Sequence, residues 1–509
     1  MNENKVTDPV EGQEEYNRLA AERQRRRAEV QKRQVRNQRL GFAAIGLILI
    51  LLILLIARGC SKVRSNKETP PVDSSAESMQ ESELSIEPEP EPEPEEPVPT
   101  TTSFSLTSVG DIMIYDAQIS AAEKSGGIYD FSPCFSRVSS YLSSADITTA
   151  NLETTFSDGY AYGGASPLFN APVELAEDLA STGFDLLSTA NTYSILYGIS
   201  GLQSTIEHIR SAGMKNVGTF LTQEERDTDG GAQFFEVNGI KVAFLAYTKN
   251  VNDMFMPDGS EYAVNLLYED YYDTYDGILE DVLLADVQAA KDAGADVIIV
   301  LPHWGSEYVF TTRSTQEEIA DLLFANGVDA IIGCHSHVVN AMETRTVTTV
   351  DGEEKEVFIA YGLGNFLSSM DREYTRETVI LNLTFTKDIE TGETTLDDVN
   401  YIPCYILDTG EDGPSRYQVV SIHDEITAYL TAGSSDAVDD ETYTVLTEAL
   451  DSIRGHAGAE FDIDPTGQVD PLSSVDDTSE APPTDETADD LEDGDAVPAE
   501  DPTQDSAEA

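Results

Sequence analysis

Between about residues 100 and 460, short apolar runs alternate with amphipathic stretches. SFSLTSVGD (103–111), DITTANLE (146–153), FDLLSTAN (184–191), IKVAFLAYT (240–248), DVIIVLPHWG (296–305) and VDAIIGCHSH (328–337) read as strands that end in polar residues. VELAEDLASTG (173–183), GLQSTIEHIRSAG (201–213), a stretch from about Ile278 to Ala293, and TQEEIADLLFANG (315–327) carry apolar residues at helical spacing. From Val347 to Phe385 the pattern turns β-rich, with a hairpin around Asp351-Gly352 followed by VFIAYGLGNF and TVILNLTFT. This alternation predicts an α/β fold.

A different pattern precedes it. Residues 40–57, LGFAAIGLILILLILLIA, are 18 consecutive uncharged and mostly apolar positions. As a helix they span about 27 Å at ~1.5 Å per residue, close to one bilayer core. A buried core helix would keep a polar stripe. One N-terminal transmembrane helix is therefore predicted. Residues 20–39 contain eight cations (Arg23, Arg25, Arg26, Arg27, Lys32, Arg33, Arg36, Arg39), against four in 58–77 (Arg58, Lys62, Arg64, Lys67). The positive-inside rule puts the N-terminus in the cytoplasm and the remainder outside. A basic leader of 39 residues argues against a cleaved signal peptide. Ala57-Arg58-Gly59-Cys60 is a poorer fit to a lipoprotein cleavage site, and it too would tether the chain.

Charge sharpens the boundaries. The chain has 509 residues, with 30 Lys+Arg against 94 Asp+Glu and a formal charge of −64. Residues 68–99 hold 11 acidic residues, no Lys or Arg, and an alternating Glu-Pro run, which predicts an extended stalk. Residues 461–509 hold 17 acidic residues and no Lys or Arg, which predicts a disordered tail. The resulting map is a basic cytoplasmic segment (1–39), a membrane helix (40–57), an acidic stalk (58–100), a folded domain (101–460) and a tail (461–509). Residues 100–460 keep 16 Lys+Arg against 59 Asp+Glu, which excludes a duplex nucleic-acid partner. Four cysteines cannot staple a fold of this length, and 40% hydrophobic residues exclude a wholly disordered chain.

Polar groups gather just after the apolar runs: Asp111, Asn151 with Glu153, Asn191, His303, and His335 with His337. In open α/β sheets the carboxyl ends of strands form the binding crevice. Carboxylate, amide and imidazole together suit zinc, manganese or iron rather than calcium. His335-Ser336-His337 would present two imidazoles on one side of an extended segment. Plainer readings exist for each group. Read alone, the two histidines fit a solvated loop pair, Asp111 a turn cap, Glu153 a surface carboxylate, and Asn151 and Asn191 turn residues. Cys334 reads as a small buried residue, Trp304 as packing, and His208, His423 and His456 as structural or surface groups.

The ordered set Ser108-Val109-Gly110-Asp111-Ile112-Met113, Asn151-Leu152-Glu153, GFDLLSTAN (183–191), HWGSEY (303–308), GCHSHV (333–338) and YGLGNF (361–366) resembles the CapA, or poly-γ-glutamate capsule synthesis, family. The resemblance runs from about Phe104 to Phe385. It implies a relative of calcineurin-like metallophosphoesterases, with two β-sheets sandwiched between helical layers and a two-metal site at the strand ends. It implies metal roles for Asp111, Glu153, His303, His335 and His337. Asp111 and His337 would hold one ion, His303 and His335 the other, and Glu153 would bridge. His303 is also a catalytic candidate, and Asn151, Asn191 and Asn365 are substrate-binding candidates. Members are associated with making, exporting or anchoring poly-γ-glutamate, which implies an anionic surface polymer and membrane polymer-synthesis proteins as partners.

One motif departs from the family. The usual Ala-Asn-Asn-His-Ser-x-Asp-Tyr-Gly is here ANTYSILYG (190–198), so Thr192, Tyr193 and Leu196 replace Asn, His and Asp. In related phosphoesterases that Asn is a metal ligand and that His donates to the leaving group. Tyr193 can donate a hydrogen bond, but a phenol of pKa ~10 is a slow acid at neutral pH. Two expectations follow: a metal-dependent hydrolase of the CapA type, or a degenerate metal- and polymer-binding protein of the same fold. A polyanion beside so acidic a domain needs bridging cations.

Overall fold

The computed structural model describes residues 100–464, apart from 166–167 and 433–437. The basic leader, the membrane span, all but the last residue of the stalk and nearly all of the tail lie outside the described residues. Among the described residues, no helix is long and apolar enough to cross a membrane.

In chain order the main strands are β1 (Thr101–Ile112), β2 (Ile147–Leu152), β3 (Leu186–Ser188), β4 (Lys215–Val217), β5 (Gln233–Val237), β6 (Ile240–Thr248), β7 (Val297–His303), β8 (Ala330–Ile332), β9 (Met342–Thr348), β10 (Glu354–Ala360), β11 (Asn365–Leu367), β12 (Glu377–Asp388), β13 (Thr394–Asp408) and β14 (Tyr417–Ser421). One sheet has the order β14-β13-β12-β1-β2-β3-β4, with β11 beside the end of β1; the other has the order β9-β10-β8-β7-β6-β5. Strands β1 to β4 are parallel, as are β6, β7, β8 and β10, while β12, β13 and β14 of the first sheet and β5 and β9 of the second pair antiparallel. The central strands are covered on both faces, so VIIVLPH is buried throughout. Edge strand β9, METRTVT, instead alternates half-buried with exposed positions after its buried Met342.

The principal helices are α1 (Asp116–Ala122), α2 (Glu174–Thr182), α3 (Gly198–Ser211), α4 (Glu280–Asp292), α5 (Ser314–Ala325), α6 (Ile422–Ala432) and α7 (Asp440–Ala457). Leu175, Ala176 and Leu179 of α2 join Val109, Ala150 and Phe366 in one apolar cluster. Leu283 and Val287 of α4 join Ile319 and Leu323 of α5 against Leu245, Ile298 and Val300 in a second. Ser108 and Thr149 of one sheet face Leu301 and Ile332 of the other across a narrow gap. The result is a mixed α/β fold with its sheets flanked by helices. Helix α2 stops where expected: Gly183 sits at φ 115, and Phe184 N–H closes onto Leu179 O at 3.2 Å.

The structure differs from the sequence reading in four places. The strand expected over 184–191 ends at Ser188; beyond it the Thr189 and Asn191 side chains turn to polar partners, Thr189 Oγ1 lying 2.6 Å from Thr219 Oγ1 and Asn191 Nδ2 donating to Leu152 O. The strand expected over 328–337 ends at Ile332. The C-terminal part, β13, β14, α6 and α7, completes the first sheet and its cover; its apolar pattern is broken by Asp397, Asp398 and Pro403. The folded edge also passes residue 460. Asp462 is buried and bonded to His423 (2.7 Å) and Arg454 (2.6 Å).

Strand β1 reaches the site through a close approach. Its pairing with β2 shifts register between Ser108 and Asp111, a bulge that re-aims the Asp111 carboxylate. Asp111 N–H donates to Gly364 O at 2.9 Å, and a Cβ on Gly110 would lie 1.8 Å from that oxygen. Gly110→Ala is expected to destabilise the domain by about 3 kcal/mol or more. Denaturant unfolding checks this, and an unchanged midpoint would contradict the close approach.

Candidate metal centre

Five strand-end residues converge where the two sheets meet. Asp111 lies near the end of β1, and Glu153 directly follows β2, its N–H donating to Ile112 O at 3.0 Å. His303 closes β7, and His335 and His337 follow β8. Their ligand atoms form two groups, Glu153-His303-His335 and Asp111-Glu153-His337, each with its atoms within 4.8 Å of one another. Glu153 belongs to both. His303 Nε2 lies 3.4 Å from Glu153 Oε1 and 3.0 Å from His335 Nδ1. His337 Nδ1 lies 3.3 Å from Asp111 Oδ2 and 4.0 Å from Glu153 Oε2.

The two imidazoles of GCHSHV converge by a different route from the one expected. The segment is not extended: His335 has φ 103 and His337 φ 58. Such conformations cost about 1–3 kcal/mol each for a non-glycine residue and persist only when surroundings enforce them. Here Ser336 Oγ donates to Val338 O at 2.7 Å, and Tyr308 N–H donates to Ser336 O at 2.7 Å. Gly333 enters the turn where a Cβ would meet Tyr361 O at 2.3 Å and Trp304 Nε1 at 2.4 Å. Trp304 is buried, donating to Tyr361 O at 3.1 Å, and its ring lies behind the turn.

All five residues are at most 3% exposed. Two carboxylates in so dry a place require positive charge. Burial, and then the Asp111 charge, pushes Glu153 well above the ordinary carboxylate range. Burial opposes charge on His337 as well, but Glu153 and Asp111 outweigh it and hold the imidazole up to about 10. Burial likewise opposes ionisation of Asp111, yet the His337 hydrogen bond and charge bring it below its usual value. Burial drives His303 down to about 3, and burial with the neighbouring His303 drives His335 well down. The His303–His335 side therefore offers neutral imidazole lone pairs, and Asp111, held ionised beside His337, offers the negative charge. Among the described residues, Glu153 Oε2 and His303 Nδ1 are buried without a hydrogen-bond partner. A mixed carboxylate–imidazole set with an orphaned buried carboxylate oxygen fits a divalent transition metal.

The three asparagines expected to touch substrate lie at the centre, each in hydrogen bonds. Asn151 Nδ2 donates to Asp111 Oδ1 at 2.7 Å, and Asn191 Nδ2 donates to Asn151 Oδ1 (3.2 Å) and Leu152 O (2.7 Å). Asn365 lies 3.0 Å from His337 Nδ1 through Oδ1 and donates through Nδ2 to Thr375 O at 3.1 Å. All three are buried; Asn151 and Asn365 bond the candidate ligands Asp111 and His337, and Asn191 bonds Asn151. Tyr193, expected as a proton donor, packs its ring on Phe169 (centroids 4.7 Å) in a cluster with Met113. Thr192 is the member of ANTYSILYG against the centre: its Oγ1 lies 3.1 Å from His303 Nε2 and also bonds Glu153.

Sequence reasoning passed over Lys249. It directly follows β6, is 7% exposed, and donates from Nζ to Gly305 O at 2.8 Å. Its charge helps depress both His303 and His335. The strand-end rule applied to IKVAFLAYT would have found it. Cys334 is buried beside Asp111 and shares a side-chain hydrogen bond with it.

The model of the bacterial capsule synthesis protein PGA_cap matches residues 105–370. The capsule biosynthesis protein CapA of Bacillus anthracis is 28% identical over 282 residues, which is 53% of this chain and 61% of that protein. The PGA biosynthesis protein CapA of Bacillus subtilis (strain 168) is 24% identical over 284 residues, 54% of this chain and 66% of that protein. The match thus spans less than two thirds of either relative. Among solved structures, a phosphatase from Mycoplasma pneumoniae aligns with a TM-score of 0.36 at 15% identity, over 62% of this chain and 96% of that one. The family match runs from β1 through the loop after β11 and takes in all five ligand residues, so the chain belongs to the bacterial capsule synthesis protein PGA_cap family.

Proposed function

We propose that this is a membrane-anchored, extracytoplasmic protein of poly-γ-glutamate synthesis, export or anchoring, with a two-cation site of the metallophosphoesterase type. The observation that carries it is the pair of buried three-residue groups sharing Glu153. Asp111 and His337 would hold one cation, His303 and His335 the other, and Glu153 both. When bound, a pair of divalent cations such as Mn, Zn or Fe polarises a substrate oxygen and acidifies water. The chain's own residues orient that set. Asn151 fixes Asp111, Asn365 fixes His337, and Thr192 braces His303 and Glu153. The apolar segment 40–57 and its basic leader support the tether.

A second reading, a cation-dependent polymer binder without turnover, is favoured by one observation. The position of the usual proton donor is Tyr193, whose ring is enclosed by apolar neighbours. Both readings share a test. The domain is strongly acidic, so polyglutamate should bind only with divalent cations present, and EDTA should weaken binding by at least about tenfold. Equilibrium binding of labelled polymer checks this, and unchanged binding in EDTA would overturn it.

A further inference from the structure

Resting on the proposed function, we infer that Arg372, stacked on Tyr308 at the mouth of the centre, is the group that receives a carboxylate of an acidic polymer. Its guanidinium lies 3.8 Å from the Tyr308 ring centroid, and that ring lies 5.6 Å from the His337 ring. Arg226, Arg345, Arg416 and Arg454 are all tied to carboxylates. Among the described residues Arg372 has no ion-pair partner, and it is exposed. In so acidic a domain, an arginine held on an aromatic face beside the centre is free to pair with an incoming anion.

Its position is built from two sides. Thr375 N–H donates to Arg372 O at 3.1 Å and Thr375 Oγ1 to the same oxygen at 2.7 Å, while Thr375 O accepts from Asn365, which holds His337. The loop carrying Arg372 is therefore in hydrogen-bonded continuity with a ligand residue. On the other side, the loops bearing Tyr308 and Arg372 are joined by a ring cluster. Phe310 stacks on His456 of α7 at 3.8 Å, and Tyr374 meets Phe310 edge-on at 5.3 Å. Glu307, the acidic neighbour, takes the Tyr308 hydroxyl's hydrogen bond and leaves the ring face to the guanidinium. A guanidinium fixed on a ring keeps its planar fork available, which suits bidentate pairing with a carboxylate.

The test uses the full chain, with manganese alone as the metal probe and a γ-linked glutamate oligomer as the polymer probe, read by calorimetry. Arg372→Gln should weaken oligomer binding about tenfold while manganese affinity and thermal midpoint stay as in wild type. Arg372→Lys, which keeps charge but loses the fork, should fall between the two. Wild-type oligomer affinity in Arg372→Gln overturns the inference and leaves the function standing. So does an equal loss of manganese affinity, which would make Arg372 a structural brace. A wild-type chain that binds manganese but no oligomer overturns the polymer function together with this assignment.

Discussion

Glu153→Gln is expected to remove both cations at once, weakening divalent-ion binding by at least about 100-fold. Loss of a supporting residue alone typically costs about 10–100-fold, and Glu153 is shared by both ligand groups. Asp111→Asn should affect mainly the His337 side. The same substitution should make the ion-free domain more stable. Burial raises the Glu153 pKa above its ordinary 4.5, so the folded chain binds a proton that the unfolded chain releases above that pH. Stability therefore falls as pH rises through and beyond 4.5 in wild type, and an amide escapes that loss. Thermal unfolding with and without manganese separates the two effects. Wild type should be stabilised by the ion, whereas Glu153→Gln should start higher and gain nothing. A variant that is less stable without metal, or still stabilised by it, would contradict the assigned role.

The second large effect concerns ANTYSILYG. Thr192→Asn with Tyr193→His should raise phosphodiester turnover by about 10²–10⁴-fold, the usual worth of a positioned general acid. Thr192 Oγ1 already lies 3.1 Å from His303 Nε2, so an asparagine oxygen at that position enters the ligand set. The histidine replaces a ring now packed on Phe169 and Met113, and about 1–3 kcal/mol of stability should be lost with that packing. Steady-state hydrolysis of a model phosphodiester decides it. Wild type turning over at an ordinary rate would sink the reading without turnover; a double variant with manganese bound but no gain would sink the assignment of Thr192 and Tyr193.

Much of this is legible in the sequence. Buried strand β7 is written as a near-continuous apolar run ending at His303, and Asp111 and Glu153 stand within one residue of the ends of β1 and β2. What stayed hidden has physical causes. The turn that brings His335 and His337 together depends on two positive φ values enforced by Ser336 and Tyr308, contacts distant from a pattern of alternating side chains. The hydrogen bonds of Asn365 to His337 and Thr375 are tertiary, between segments far apart in the chain or joined by a loop, and no periodicity records them. Strand β13 escaped because its register is set by pairing with β12, despite Asp397, Asp398 and Pro403 along it. Arg372 and Tyr308 lie 64 residues apart in the chain and meet only through folding.

The central claim is a two-cation centre bridged by Glu153. The most direct measurement is anomalous diffraction at the manganese edge from crystals of the manganese-loaded protein, paired with elemental analysis. About two ions per chain are expected, one among Glu153, His303 and His335 and one among Asp111, Glu153 and His337, as for a two-metal site. Protein that carries no metal after loading, with a thermal midpoint indifferent to EDTA, would contradict it.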